Sequence, residues 1–174
     1  MNGKTKIVLD ADVIIHFIQG DSLSLLLEIF PEYGYIILDV VYNELTKNSA
    51  TKIQLDNTLT LFNAKFSKVI FMPSGQSRQE YARLISTLGR GESACMVYCR
   101  DNHDVLGSSN LRDIKKYCED NQITYLTTLD FLYYAFIRHK MSAKEITDFI
   151  RQVKAKGSKL PSIEIETYIP TCHL

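Results

Sequence analysis

The sequence predicts an α/β fold: a mainly parallel sheet covered on both faces by helices, in one domain with a short C-terminal appendage. Two observations carry this. Short apolar runs of strand character alternate with segments of helical periodicity along most of the chain. The 174 residues, 45% of them hydrophobic, suffice for one real core and leave little room for a second domain.

Residues 5–10 read as a short buried strand, and "DVIIHFIQG" places Val13, Ile14, Phe17 and Ile18 at helical spacing before Gly20. "DSLSLLLEIF" starts a second helix with Asp21 or Ser22 as cap, closed by Pro31 and Gly34. A strand at 35–38 then leads into a helix with Asp39 as N-cap and Glu44 inside it. A helix at 51–64, a strand at 68–72 and a helical stretch at 76–102, broken by "GRG" at 89–91, come next. "DVLGSSN" supplies a fourth strand, "LRDIKKYCEDN" a helix, "ITYLTT" a fifth strand and "LDFLYYAFIRHK" another helix. From Ser142 a helix runs to Gly157, and a shorter element follows.

Lys plus Arg and Asp plus Glu are equal at 20 each, so net charge draws the chain toward neither nucleic acid nor membrane. Between Arg138 and Lys159, however, seven basic residues face two acids, which reads either as a solvated helix face or as a surface for an anion such as RNA. No apolar stretch approaches the roughly 20 residues of a membrane helix, so no membrane partner is expected. Four cysteines (Cys95, Cys99, Cys118, Cys172) and no N-terminal signal region fit free thiols in a cytoplasmic protein. Cys95, Cys99 and His103 fall on one helix, which cannot wrap a tetrahedral zinc, so they read as core residues and a helix-end histidine. Tyr133, Tyr134 and Phe136 read as core, Cys172-His173 as a frayed end, and His16 and His139 have no identifiable partner.

The chemistry gathers where strands should end. In a parallel sheet Asp10 stands at the C-terminal end of the first strand, and Ser108 to Asn110 at the end of the fourth. Crowded carboxylates repel one another and lose hydration, so such a cluster calls for cations, and oxygen ligands suit Mg²⁺ or Mn²⁺. Asp12 fits either a helix N-cap or this cluster. Glu44 fits a solvated surface or the margin of the core face. Glu92, in the first turn after "GRG", also complements a helix dipole. Asn110 and Asp113, three apart at a helix start, can share one edge, with capping by Ser109 or Asn110 as the plain alternative.

In this order the pieces resemble the PIN domain family, which includes the VapC-type toxins. "LDADVII" is similar to that family's opening Asp motif, "VVYNEL" to its helix-borne glutamate, "GRGESA" to the acidic start of its later helix, and "SSNLRDI" to its Asn-x-x-Asp segment. "GSKLPSIEIETYI" resembles the C-terminal extension of a bacterial subgroup. The resemblance spans residues 5 to 140 and rests on order and spacing, each motif being only a few residues long. It implies a three-layer α/β/α sandwich, with a nuclease domain at 1–140 and a packed helical extension at 141–174. It further implies hydrolysis of RNA phosphodiesters with Mg²⁺ or Mn²⁺, toxin-like, with an antitoxin and a homodimer as associated partners. The match carries catalytic roles to Asp10, Glu44, Glu92 and Asp113. Asp10, Glu92 and Asp113 hold the ion, Glu44 binds it or orients the attacking water, and Asp12 and Asn110 support them. Arg90 and Lys115 are placed to touch RNA phosphates. One departure stands out: family members often carry an acid after the fourth strand, where this chain has Ser108-Ser109-Asn110. That leaves open a weaker site or a single ion.

Two other readings compete. "VLDADV" and "VLGSSN" also resemble the nucleophile and strand-ending motifs of haloacid dehalogenase-type phosphatases, with Asp10 as nucleophile; the late acidic pair of that family is missing, and Glu44 and Glu92 go unused. The third reading is a PIN-like module without catalysis that binds RNA or a partner.

Overall fold

The computed structural model describes residues 4–174. The first strand, β1 (Lys6–Leu9), forms because Ile7, Val8 and Leu9 are apolar without alternation, as a strand buried on both faces requires; all three are fully buried. It leads through Asp10 into α1 (Ala11–Gln19) and, after Gly20, into α2 (Leu23–Ile29). β2 (Gly34–Leu38), α3 (Asp39–Leu45), α4 (Ser49–Leu61) and β3 (Phe66–Val69) follow. Then come α5 (Gly75–Leu84), α6 (Arg90–Asn102), β4 (Val105–Gly107) and α7 (Leu111–Asp120). β5 (Tyr125–Leu126), α8 (Thr128–Ile137), α9 (Ala143–Ala155) and a 3-10 turn at Ile165–Thr167 complete the chain. Among the described residues no helix is long and apolar enough to cross a membrane.

Among the described residues five strands form one all-parallel sheet in the order β3-β2-β1-β4-β5. Val8 pairs with Ile36 on one side and Leu106 on the other, so β1 is central. The chain builds outward from β1 to β2 and β3, then crosses back to β4. The reversal opens a crevice at the C-terminal ends of β1 and β4, where parallel α/β sheets place their ligands. The three-layer α/β/α architecture is the one expected.

On one face Phe17 of α1 meets Phe131 of α8 edge-on, with ring centroids 6.1 Å apart, and Phe149 of α9 at 5.1 Å. A Cβ on Gly20 would run into the Phe149 ring, so glycine lets α9 lie this close to the end of α1. α5, α6 and α7 pack together as the other layer, as right-handed crossovers to β4 and β5 require. The middle of α6 is mostly apolar or small, and Gly91 through Val97 are buried. Cys95 and Cys99 are fully buried free thiols, and His103 ends the helix at φ 55°.

Several expectations need correction. The third strand pairs at 66–69 rather than 68–72, because the amide of Phe71 donates to the Asp39 carboxylate at 2.9 Å and leaves the sheet. Asp39 is the first helical residue of α3 and not its N-cap. The break in 76–102 falls at 85–89, with Gly89 capping α6. Cys172 is not frayed: its carbonyl accepts from the Tyr134 hydroxyl at 3.0 Å and its thiol donates to the Tyr125 carbonyl at 3.4 Å.

Candidate active site

Asp10 extends the β1–β4 ladder by one bond, its amide donating to the Gly107 carbonyl at 2.9 Å, and then caps α1. One carboxylate oxygen accepts the Ala11 N–H at 2.8 Å and the other the Ser108 hydroxyl at 3.2 Å. Asp12 therefore does not occupy the cap position. It lies in the first turn of α1, where Oδ1 accepts the Val13 N–H at 2.6 Å and Oδ2 the Ser109 N–H at 2.7 Å. This carboxylate ties the β1–α1 junction to the loop after β4.

Glu44 projects from α3, half-buried, and accepts the Gly91 N–H at 3.0 Å. That donor is one of the unpaired amides at the start of a helix, so a glutamate of one helix fixes the N-terminus of another. The approach depends on Gly91, whose Cβ would lie 2.6 Å from Glu44 Oε2. The next residue, Glu92, is buried in the first turn of α6. Asn110 occupies the N-cap position of α7 without a side-chain cap bond; its amide donates instead to Asp113 Oδ2 at 2.8 Å. Arg90 is exposed at the start of α6, while Lys115 points to solvent on α7, 3.9 Å from Glu119.

The carboxylates sense one another. Burial pushes Asp10 up to about 8, with the charges of Asp12 and Glu92 adding to the shift and the bonds from Ala11 and Ser108 opposing it. Burial likewise lifts Glu92 to about 7, and Asp113, Asp12 and Glu44 contribute repulsion that a bond from Asn110 partly offsets. Asp12 is raised by burial against the pull of its amide donors. Five carboxylates from four elements thus share one sheet edge and one electrostatic field. As they stand, no three His, Cys, Asp or Glu side chains among the described residues are grouped so as to hold a metal ion. The donor set is nonetheless all oxygen, and its mutual repulsion is the condition a hard divalent cation relieves.

Sequence reasoning marked Asp10 and Glu92 but missed what holds the acids. Ser108 and Ser109, noted as a strand end lacking the usual acid and, for Ser109, as a possible cap, donate to Asp10 and Asp12 through a hydroxyl and an amide. His16, without a visible partner in the sequence, is buried beside Thr128, 112 positions away. No local pattern signals that contact.

No protein-family model and no curated protein matches the chain. Solved structures do. The crystal structure of VapBC2 from Rickettsia felis, bound to a DNA fragment from its promoter, is 18% identical, with a TM-score of 0.53 over 71% of this chain and 98% of that one. VapBC-1 from nontypeable Haemophilus influenzae is 14% identical, with a TM-score of 0.51 over the same shares of 71% and 98%. Likeness at these identities speaks to the fold, and the fold is that of the PIN domain.

Proposed function

We propose that this protein is a Mg²⁺- or Mn²⁺-dependent endoribonuclease of the toxin–antitoxin kind. The observation that carries the reading is the placement of Asp10 and Glu92, both buried, at the β1–β4 crevice with Asp12, Glu44 and Asp113 around them, tied there by bonds from Ser108, Ser109 and Gly91. Asp10, Glu92 and Asp113 are the residues that would hold the ion, which when bound supplies hydroxide at neutral pH and offsets charge on the phosphate. Glu44 fixes the start of α6 and thereby the position of Glu92. Asn110 orients Asp113 by its amide bond, and Ser108 orients Asp10. Arg90, exposed beside this edge, is proposed to meet the RNA backbone, and Lys115 to do so from the solvent face of α7.

Residues 1–140 are read as the nuclease domain, the first three lying outside the described residues, and 141–174 as an extension packed on it. Phe149 against Phe17 supports the packing of that extension on the domain. An antitoxin and a second copy are the proposed protein partners, and the cytoplasm the proposed location, which the buried free thiols suit. The phosphatase reading leaves Glu44 and Glu92 idle although both stand at the edge that Asp10 occupies.

The test is incubation of the purified chain with a mixed RNA panel that includes structured tRNA, in Mn²⁺, Mg²⁺ or chelator, beside Asp10→Asn and Glu92→Gln. Cleavage should require the metal and fall roughly 100-fold or more in both variants. Phosphomonoester turnover that needs Asp10 and tolerates Glu92→Gln would instead establish the phosphatase. A chain showing neither turnover nor metal binding would favour the binding module.

A further inference from the structure

Behind Asp12 lies a line of polar groups that the acidic residues do not account for. His16, one turn further along α1, is only 6% exposed. Its Nδ1 stands 2.8 Å from Thr128 Oγ1 at the start of α8. The Ser109 hydroxyl donates to that same threonine oxygen at 2.8 Å and accepts the Thr128 backbone N–H, also at 2.8 Å. Ser109's own N–H is the one that holds Asp12 Oδ2.

Thr128 Oγ1 thus bridges the Ser109 hydroxyl and His16 Nδ1, and burial lowers the His16 pKa, which favours the neutral imidazole. The neighbourhood is apolar, with Val13, Phe17 and Phe131 all fully buried. A polar group left unpaired there would carry its whole desolvation penalty. Two helices and the loop after β4 are therefore locked together at one point, directly behind the acidic edge.

We propose that His16 and Thr128 are positioning residues of the acidic site: through Ser109 they fix the loop whose amide holds Asp12 and whose adjacent hydroxyl, on Ser108, holds Asp10. The proposal rests on the divalent-cation reading of that site. Neither residue touches the ion or the RNA; both act through the loop.

The test is Mn²⁺ titration by calorimetry on the full chain, with thermal melts to confirm folding. Thr128→Val should weaken Mn²⁺ binding about 10- to 100-fold, the usual effect of losing an outer-shell partner, and Thr128→Ser should restore it. His16→Asn, whose amide reaches the place of Nδ1, should stay within a few-fold of wild type, whereas His16→Leu should weaken binding as Thr128→Val does. Ser109→Ala, on a half-buried loop, keeps the amide and loses the hydroxyl; it should also weaken binding, and it decides the matter if Thr128→Val does not fold. Folded Ser109→Ala and Thr128→Val proteins with wild-type affinity, beside an Asp10→Asn protein that has lost binding, overturn the relay. A folded wild type that binds no Mn²⁺, or binds it equally well as Asp10→Asn, overturns the cation site itself and the relay's role with it.

Discussion

Asp10 is held far from its ordinary ionisation by its burial and its acidic neighbours. Its ordinary value of 3.8 rises to about 8 in the fold, and that of Glu92 from 4.5 to about 7. Without metal, the folded state then holds more protons than the unfolded chain between about pH 4 and about pH 8. The stability tied to these groups is full at the acid end and is lost as pH rises through the folded values. Melting in chelator should therefore fall from about pH 5 to about pH 8, each pKa unit being worth about 1.4 kcal/mol. Asp10→Asn should flatten that fall and raise the melting temperature at the alkaline end; an unchanged slope would mean that Asp10 is not the strained group. His16 works in the opposite sense. Burial lowers its pKa from 6.5, so its contribution is lost as pH falls below that value. At this scale the acids were legible, because a carboxylate after a buried strand or after "GRG" has few places to go. The hydrogen bonds that aim them were not, since Asp12 meets Ser109, 97 positions further along the chain.

Between elements, the contact of α3 with the start of α6 turns on a missing methyl group. Alanine at Gly91 would place Cβ 2.6 Å from Glu44 Oε2 and 3.1 Å from Val41 Cγ2. Alanine is also the better helix former by about 1 kcal/mol, which offsets part of the crowding. Gly91→Ala should thus melt within a few degrees of wild type, yet lose roughly tenfold in Mn²⁺ affinity as Glu44 is pushed aside. Equal affinity in the folded variant would show that Glu44 does not support the site. The order of strands and helices was readable from periodicity, but β3 was not placed correctly. "VIFM" has the apolar density of a strand, yet Ile70 and Met72 are 67% and 81% exposed while Phe71 packs on Tyr81. The true edge strand, "FSKV", buries Phe66 and leaves Ser67 and Lys68 in water. A two-residue β5 is likewise shorter than any periodicity can register.

For the whole molecule, the C-terminal segment closes on a buried charge. Asp130 is fully buried and completes the capping box of α8 with Thr127. Its other oxygen accepts from the Tyr168 hydroxyl at 3.0 Å and the Thr171 N–H at 2.7 Å. Tyr168→Phe should cost about 1.5–3 kcal/mol in urea unfolding, the range for a hydrogen bond to a charged group. A change below about 0.5 kcal/mol would show that the tail lies on the domain without holding it. The sequence suggested fraying at Cys172-His173 because the partners of Cys172, Tyr134 and Tyr125, lie 38 and 47 positions away, beyond any local pattern. Central β1 has a further consequence, one of timing. It is made first, yet its ladder to β4 and the hydroxyl that holds Asp10 come about a hundred residues later. Synthesis proceeds from the N-terminus, so a nascent chain carries Asp10 and Glu44 long before Ser108 and Asp113 exist. The protein is thus made beside ribosome and messenger in a form that has no assembled acidic edge.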